Sequence, residues 1–363
     1  LALAAIARGG ESLLEHAPSE QLRQWVNHLE LDTDLAHPWA LAVSAVLDAR
    51  NGQFDHALLA LNRAIAQLEA ARGSARDLYQ TLSILEWALF WSGDSAGSLS
   101  VCRRALNHAT TDAERLHTLL SLVSSALDMR RWDFVESAMN EAAPLLHRAN
   151  QEEKARAQAL RAHAAFYRGD MYAAHRIIGD CRERAGSLAQ RASSLNTRGM
   201  IDIALGDYAS AQKHLSESAD IAEGFGHALT SHIEDNLAFL DACLGQFESA
   251  LRRLDRLIRL GGSVDPTHIC IVHMHVATAL RRRGNLQDAL GPSQRAVKSV
   301  DIERDPYLAY NARINAALCK GLLGASQEAT LTRLSNKASD AGLAFVELKA
   351  KLFQAILAHT AGA

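Results

Sequence analysis

The stretch HICIVHMH, residues 268–275, contains three histidines and a cysteine, which are residue types that bind zinc. On a helix, His268 and His275 would share one face but lie about 10 Å apart along the axis. A single metal ion cannot bridge that distance without a ligand from another element. The spacing therefore favours hydrogen-bonded or solvent-facing histidines, and we predict no metal site in this chain.

A second cluster, HIEDN at residues 232–236, places two acids beside a histidine, as general acid–base catalysis can require. No paired-carboxylate arrangement accompanies it, and a polar helix face is the interpretation that we favour. The sequence contains no HExxH, GxSxG or GxxxxGK[ST] motif. We therefore predict no catalytic residue, no enzymatic activity and no cofactor bound by this chain.

The composition favours a soluble, all-helical protein. Prolines are few, aromatic residues make up 6% of the chain, and the formal net charge of -3 provides no broad cationic field for nucleic acid. The arginine clusters at 252–253 and 281–283 lie among acids and are predicted to form solvated surfaces. Five scattered cysteines without a CxxC pair suit a reducing cytoplasm, and no apolar run approaches the roughly 20 residues of a membrane span.

One sequence motif recurs along the chain, most clearly as GDYASAQKHL at residues 206–215. Its first residue is a glycine in seven copies and an arginine in one, at intervals of 37 to 41 residues. These positions are Gly52, Gly93, Arg130, Gly169, Gly206, Gly245, Gly284 and Gly324. Spacing this regular predicts one supersecondary unit, copied eight times: a first helix, a turn and a second helix.

The turn glycines are expected to adopt a left-handed conformation that ends the first helix. An aromatic or apolar residue two places later begins the second helix, at Phe54, Trp132, Met171, Tyr208, Phe247 and Leu286. Small residues in register allow the two helices to approach closely. They lie five places after the turn (Ala57, Ala174, Ala211, Ala250, Ala289, Ala329) and seven before it (Ala45, Ala162, Gly199, Ala238, Ala277, Ala317), with Val123 tolerable and Glu86 an exception.

The sequence also contains prolines and capping residues that are typical of helix ends. Pro38, Pro266 and Pro306 suit the first turn of a helix, and the last two follow the capping residues Asp265 and Asp305. TDAE at residues 111–114 is a capping box, and Pro292 is expected to kink or shorten the second helix of the seventh repeat.

The small residues, the Gly-Asp-Tyr turn and the following alanine resemble the tetratricopeptide repeat over roughly residues 37–340. These copies exceed the usual 34 residues, and most lack its terminal proline. The resemblance implies an all-α fold, an α-α superhelix (TPR-like solenoid) of about eight helix-turn-helix repeats, whose first helices line a concave wall. We expect residues 1–36 to form a helical cap or partial repeat and residues 37–363 to form the array with a C-terminal capping helix.

The elongated copies, together with an opening such as ARGGESLLEHAPSEQLRQWVNHL at residues 7–29, look like the sensor region of MalT-like, ATP-dependent LuxR-type transcriptional regulators. The first residue is Leu1, so we expect an internal piece of a longer protein. The resemblance implies a cytoplasmic sensor that binds a small-molecule inducer, self-associates, and works with an ATPase and a helix-turn-helix domain elsewhere in the parent chain.

The repeat template places wall residues about 2, 3, 6, 10 and 13 positions before each turn. Rings flanked by polar donors suit a sugar or a similar amphipathic ligand, whereas ordinary inter-repeat packing would also explain many of them. A peptide or protein partner lying along the same groove is the alternative. The candidate groove residues are Trp87, Phe90, Trp91, Arg156, His163, Phe166, Tyr167, Asn196, His232, Asp235, Phe239, Arg281 and Arg282.

Overall fold

The computed structural model describes residues 20, 21, 23, 24, 38–179, 188–223, 227–260, 266–303 and 305–362. Most of the predicted cap at 1–36, as well as Cys181 and Asp265, lies outside the described residues. From residue 38 onward this part of the chain contains 17 α-helices and no β-strand. They are α1 (Pro38–Arg50), α2 (Phe54–Ala70), α3 (Ala75–Trp91), α4 (Ser95–Leu106), α5 (Asp112–Asp128), α6 (Trp132–Leu146), α7 (Gln151–Tyr167), α8 (Met171–Gly179), α9 (Leu188–Leu205), α10 (Tyr208–Ala222), α11 (His227–Cys243), α12 (Phe247–Leu260), α13 (Pro266–Arg283), α14 (Leu286–Lys298), α15 (Pro306–Leu322), α16 (Glu328–Asp340) and α17 (Ala344–Gly362).

The helices form eight successive hairpins, in which odd-numbered helices up to α15 are first helices and even-numbered ones are second helices. All seven predicted turn glycines have a positive φ, between 77° and 93°. Arg130 at the eighth turn also adopts a positive φ, of 56°. The predicted start residues of the second helices are confirmed in all six repeats for which they were named. The all-α fold of about eight helix-turn-helix repeats is confirmed.

Buried small residues hold the two helices of a hairpin together. Ala57, Ala174, Ala211 and Ala250 are fully buried on the second helices. Gly199 on α9 shows how little room there is, because an added Cβ would lie 2.5 Å from Leu215 of α10. That distance is well inside normal contact, so the backbones can approach only where one side chain is absent or short.

Glu86, the exception to the small-residue pattern, has a partner at the corresponding second-helix position. Ser98 lies five residues after its turn glycine, where other repeats carry alanine. Its hydroxyl donates to the Glu86 carboxylate at 2.9 Å and lies 2.7 Å from the Ser125 hydroxyl. Both Glu86 and Ser98 are buried. The second repeat therefore replaces two small apolar residues with a hydrogen-bonded pair.

The eighth repeat departs from the prediction. Its second helix, α16, begins at Glu328, two residues later than the repeat pattern would place it. Ala329 is consequently exposed, so the prediction that it lies at the helix–helix contact was wrong. Leu331 begins the buried stripe of α16 instead.

The predicted helix-end residues that the structure describes are in place. The first-turn prolines begin α1, α13 and α15, and Asp305 accepts the Leu308 amide at 2.9 Å. Thr111 and Glu114 form a reciprocal capping box at the start of α5. Pro292 lies inside α14, which continues to Lys298, so the proline does not end that helix.

The chain forms two compact units. Unit 1 comprises Leu1–Leu160, Ile178–Leu195 and Glu217–Thr230, and its core includes Trp39, Leu61 and Leu82. Unit 2 comprises Arg161–Ile177, Asn196–Ser216 and Ser231–Ala363, with separate apolar clusters around α11–α13, α13–α15 and α15–α17. Within the described ranges, none of the helices has the length and apolar character that a membrane crossing requires.

The turn conformation predicts that Gly206→Ala lowers the free energy of unfolding by about 1 kcal/mol, because a Cβ disfavours the left-handed region. Gly291→Ala, which lies within α14 and whose Cβ would meet only Arg295 at 3.6 Å, is expected to raise it by a similar amount. Urea titrations of the two variants measure both effects. Equal shifts in the two variants would contradict the turn assignment.

For the second repeat, Glu86→Ala and Ser98→Ala are each expected to lower the free energy of unfolding by about 1–3 kcal/mol, since each removes a buried hydrogen bond. The double variant restores two small residues and should lose less than the sum of the single variants. A double-mutant cycle measured by urea denaturation checks this. Additive losses would show that the two side chains do not act as a pair.

Candidate functional site

A buried carboxylate lies between α11 and α13 in unit 2. Asp235 of α11 is 3% exposed, and its Oδ1 lies 2.7 Å from Nδ1 of His275 on α13. Its Oδ2 lies 3.8 Å from Nε2 of His268, whose ring stacks on His232 with centroids 4.3 Å apart. Phe239 also belongs to this cluster, because its ring stacks on His275 with centroids 4.5 Å apart.

The electrostatics of this cluster favour the carboxylate. Burial alone would raise the pKa of Asp235, but the charge and hydrogen bond of His275, with the charges of His268 and His232, lower the pKa below its usual range. Burial, together with the charge of His268, lowers the pKa of His232 to about 3. His232 is therefore neutral near pH 7, and the buried negative charge of Asp235 is balanced by the hydrogen bond from His275.

The polar helix face predicted for HIEDN contacts neighbouring helices. Asp235 is buried, and Glu234 pairs with Arg253 of α12 at 2.7 Å. Arg253 also contacts Asp241 at 3.1 Å and is half-buried, so the prediction of a solvated arginine surface was wrong at this position. Burial lowers the pKa of Arg253, but its bonds to Glu234 and Asp241 outweigh this and raise the pKa overall.

Asn236 extends the contacts of α11 to the preceding repeat. Its side-chain amide donates to the Asn196 side-chain oxygen on α9 at 2.9 Å. The residues that we name the α11 stripe are His232, Asp235, Asn236 and Phe239, which follow helical spacing i, i+3, i+4 and i+7. The stripe thus contacts first helices on both sides, α9 through Asn236 and α13 through the other three residues.

A second aromatic group in unit 2 gathers around Tyr167 at the end of α7. Its ring stacks on His163 at 5.4 Å between centroids and meets Phe166 edge-on at 5.6 Å. Tyr307 of α15, four repeats later, approaches Tyr167 edge-on at 6.3 Å. All four rings have intermediate exposure, so they can offer a face to a ligand while remaining fixed by one another.

The two predicted residues at the end of α13 differ in exposure. Arg282 is exposed, whereas Arg281 is half-buried, with its guanidinium carbon 6.0 Å from the Phe353 ring centroid of α17. Burial lowers the pKa of Arg281, and the neighbouring Arg282 lowers it further. For Arg281, therefore, the expectation of a solvated position was also wrong.

The predicted residues in unit 1 form two separate groups. Phe90 and Trp91 meet edge-on at 5.6 Å, and Trp87 packs partly buried against the core of the first repeats. Arg156 of α7 contacts Nδ1 of His117 at 3.2 Å and donates to the Ser121 hydroxyl at 2.8 Å, both on α5. Arg156 thus joins the neighbouring first helices α5 and α7, as the α11 stripe joins first helices in unit 2.

Among the contact residues that were not predicted from the sequence are Asn236, Tyr307 and Phe353. Asn236 lies nine residues before its turn and its partner Asn196 lies ten before its own, so similar spacing on neighbouring first helices is the signal that would have found it. His268 and His275 were singled out, but their shared partner Asp235 lies on another helix. In the part of the chain that the structure describes, no group of three or more His, Cys, Asp or Glu residues has an arrangement suited to a metal ion.

Residues 190–261, which cover most of α9 and all of α10 to α12, match the tetratricopeptide repeat family. The crystal structure of a Rap protein complexed with Competence and Sporulation Factor is similar, with a TM-score of 0.55 and 12% identity over 88% of this chain and 98% of that chain. The APC/C hetero-tetramer Cut9–Hcn1 is also similar, with a TM-score of 0.62 and 13% identity over 92% of this chain and 59% of that chain. No curated protein matches this sequence. At these identities, the likeness establishes the fold.

The half-buried His232 predicts that stability falls with acidification. Because its folded pKa of about 3 lies below the usual 6.5, the unfolded state binds more protons between these values. Stability is therefore full above pH 6.5 and is lost as the pH falls, by about 1–2 kcal/mol between pH 7 and pH 5. Urea denaturation at the two pH values should show this loss in the wild type.

His232→Asn is expected to reduce this pH dependence, whereas His147→Asn, at an exposed position, should retain it. An unchanged pH dependence in His232→Asn would contradict the assignment.

Proposed function

We propose that the first helices of unit 2 bind a small amphipathic ligand, and that the chain is a ligand-sensing and oligomerisation region of a regulator. The observation that carries the proposal is the α11 stripe, which combines two half-exposed rings, an amide and a buried carboxylate and contacts α9 and α13. Ring faces cover the C–H surface of a sugar-like molecule, and the amide and histidine groups satisfy its hydroxyls.

The same contacts suit a sensor. A ligand that inserts beside His232 or Phe239 changes how α11 meets α13, because those rings already stack on His268 and His275. A ligand that favours one arrangement of the two helices shifts the population of the repeat array toward it. Small rotations of neighbouring repeats then add along the array. This is the step by which binding would reach other domains or a second copy.

The proposed setting is a cytoplasmic, MalT-like LuxR-type regulator with an ATPase and a helix-turn-helix domain elsewhere in the parent chain. The elongated repeats and the opening residues 7–29 support it by resemblance. The fold that this chain shares with a Rap protein complexed with Competence and Sporulation Factor is compatible with binding a signalling factor. We assign the chain a role in binding rather than catalysis.

A peptide partner is the second candidate, and the Asn196–Asn236 pair favours it. A side-chain amide carries both a donor and an acceptor, as a peptide group does. One donor and one acceptor of this pair are used between the two residues. The remaining amide nitrogen of Asn196 and oxygen of Asn236 have the chemistry to bind a peptide backbone lying across α9 and α11.

Thermal-shift titration of the chain with sugars and other small metabolites tests the proposal. A binding compound should raise the melting temperature saturably, since it binds only the folded state. Tyr167→Ala and Phe239→Ala are each expected to raise the dissociation constant of that compound about tenfold or more, because each removes a ring face. Tyr172→Ala is the matched control, because this ring on the second helix α8 is 83% exposed.

No stabilisation by any compound, or equal loss in Tyr172→Ala and Tyr167→Ala, would contradict the small-molecule proposal. Stabilisation by a peptide library, lost in Asn236→Ala, would establish the second candidate instead. Light scattering with the active compound then tests self-association, for which we expect a ligand-dependent increase in mass.

A further inference from the structure

Two positive side chains converge on one ring at the C-terminal end of unit 2. The guanidinium carbon of Arg281, on α13, lies 6.0 Å from the Phe353 ring centroid. The ammonium nitrogen of Lys349, on α17, lies 5.8 Å from the same centroid and donates to the Asn311 side-chain oxygen of α15 at 3.0 Å. Asn311 is a neutral acceptor, so it orients the ammonium group without balancing its charge.

The three helices that carry Arg281, Asn311 and Lys349 do not supply a balancing carboxylate. Neither α13 nor α15 contains an aspartate or glutamate, and α15 adds the cations Arg313 and Lys320. The one acid of α17, Glu347, pairs with Lys351 on the next turn. By contrast, α11 contains three acids, and Asp235, at its buried histidine cluster, accepts from His275.

The environment makes this excess of positive charge costly. Phe353 is 7% exposed and belongs to a core with Tyr310 and Ile314. Burial, together with the charge of Arg281, lowers the pKa of Lys349 to about 8. Burial likewise lowers the pKa of Arg281. Two cations held in such a setting are each destabilised by the other, and a bound anion would relieve both.

We propose that Arg281, Lys349 and Phe353 form a subsite for an oxyanion group, a carboxylate or a phosphate, of the ligand. The guanidinium and ammonium groups donate charge-assisted hydrogen bonds to the oxygens, beside the Phe353 ring that both cations approach. This inference rests on the proposed function, because it names the chemical class of a ligand bound along the first helices. It narrows that ligand to an acidic metabolite or acidic sugar derivative, or to an acidic peptide for the second candidate.

The probes are sodium benzoate, inorganic phosphate and the neutral isostere benzamide, at constant ionic strength. Binding is followed by NMR of the chain with ¹³C-methylated lysines, in which the Lys349 signal is assigned by its absence in Lys349→Met. We expect benzoate or phosphate to shift this signal saturably and to raise its titration midpoint, since an anion favours the charged amine. Benzamide should leave it unchanged. The two anion arms identify which oxyanion the subsite accepts.

Arg281→Gln should weaken anion binding about tenfold, as expected for the loss of one charge-assisted contact. Arg282→Gln, an exposed neighbour on the same helix, is the control and should change binding less than about threefold. Raising the pH through 8 should weaken binding, because Lys349 loses its proton. A Lys349 signal that responds to neither anion, or equal effects of the two arginine variants, would overturn the proposal.

The two proposals fail separately. If neither anion affects Lys349 while a neutral sugar still stabilises the wild-type chain, the subsite is wrong and the proposed function stands. If the anions bind at Lys349 but no metabolite or peptide stabilises the chain, the subsite stands and the proposed function is wrong.

Discussion

The close approach of the two helices in each hairpin is the constraint on which the rest of the structure depends. It requires a left-handed residue at the turn and a small residue on each helix, as Gly206, Gly199 and Ala211 provide in the fifth repeat. When the first condition is met without glycine, as at Arg130, the chain accepts backbone strain rather than lose the turn. Most hairpins close in this way, and neighbouring first helices such as α9, α11 and α13 then come into contact.

Those contacts are polar to an unusual extent for a buried surface. A carboxylate, three histidines and a pair of asparagines join α9, α11 and α13 of unit 2. Such groups stabilise less than apolar packing would, but they impose hydrogen-bond geometry and retain donors for a ligand. At the C-terminal end of the unit, Arg281 and Lys349 lie together with no acid on α13 or α15. Along unit 2, the polar groups thus change from ones that are paired within the protein, such as Asp235 and His275, to the two positive charges of Arg281 and Lys349. A ligand with an acidic end would suit the positively charged end.

The sequence was sufficient to predict the fold because each repeat fixes its own hairpin through local chemistry. Turn glycines, helix-start prolines and the capping box at Thr111 act within a few residues and need no knowledge of the rest of the chain. The contacts of the site were harder to predict, since Asp235 and His275 meet only when two repeats stack. The burial of Asp235 and its contact with His275 did not follow from the polar helix face predicted for HIEDN, and Lys349 was not assigned. Ala329 shows the limit of the pattern: α16 starts two residues late, and the expected contact is lost.

Hydrogen–deuterium exchange tests most directly whether the first helices of unit 2 bind the ligand. The chain would be compared with and without the low-molecular-weight fraction of a cell extract. We expect slower exchange in residues 227–243 and 266–283, which form first helices, and little change in residues 247–260 and 286–298, which form second helices. Protection confined to the second helices, or no change anywhere, would contradict it.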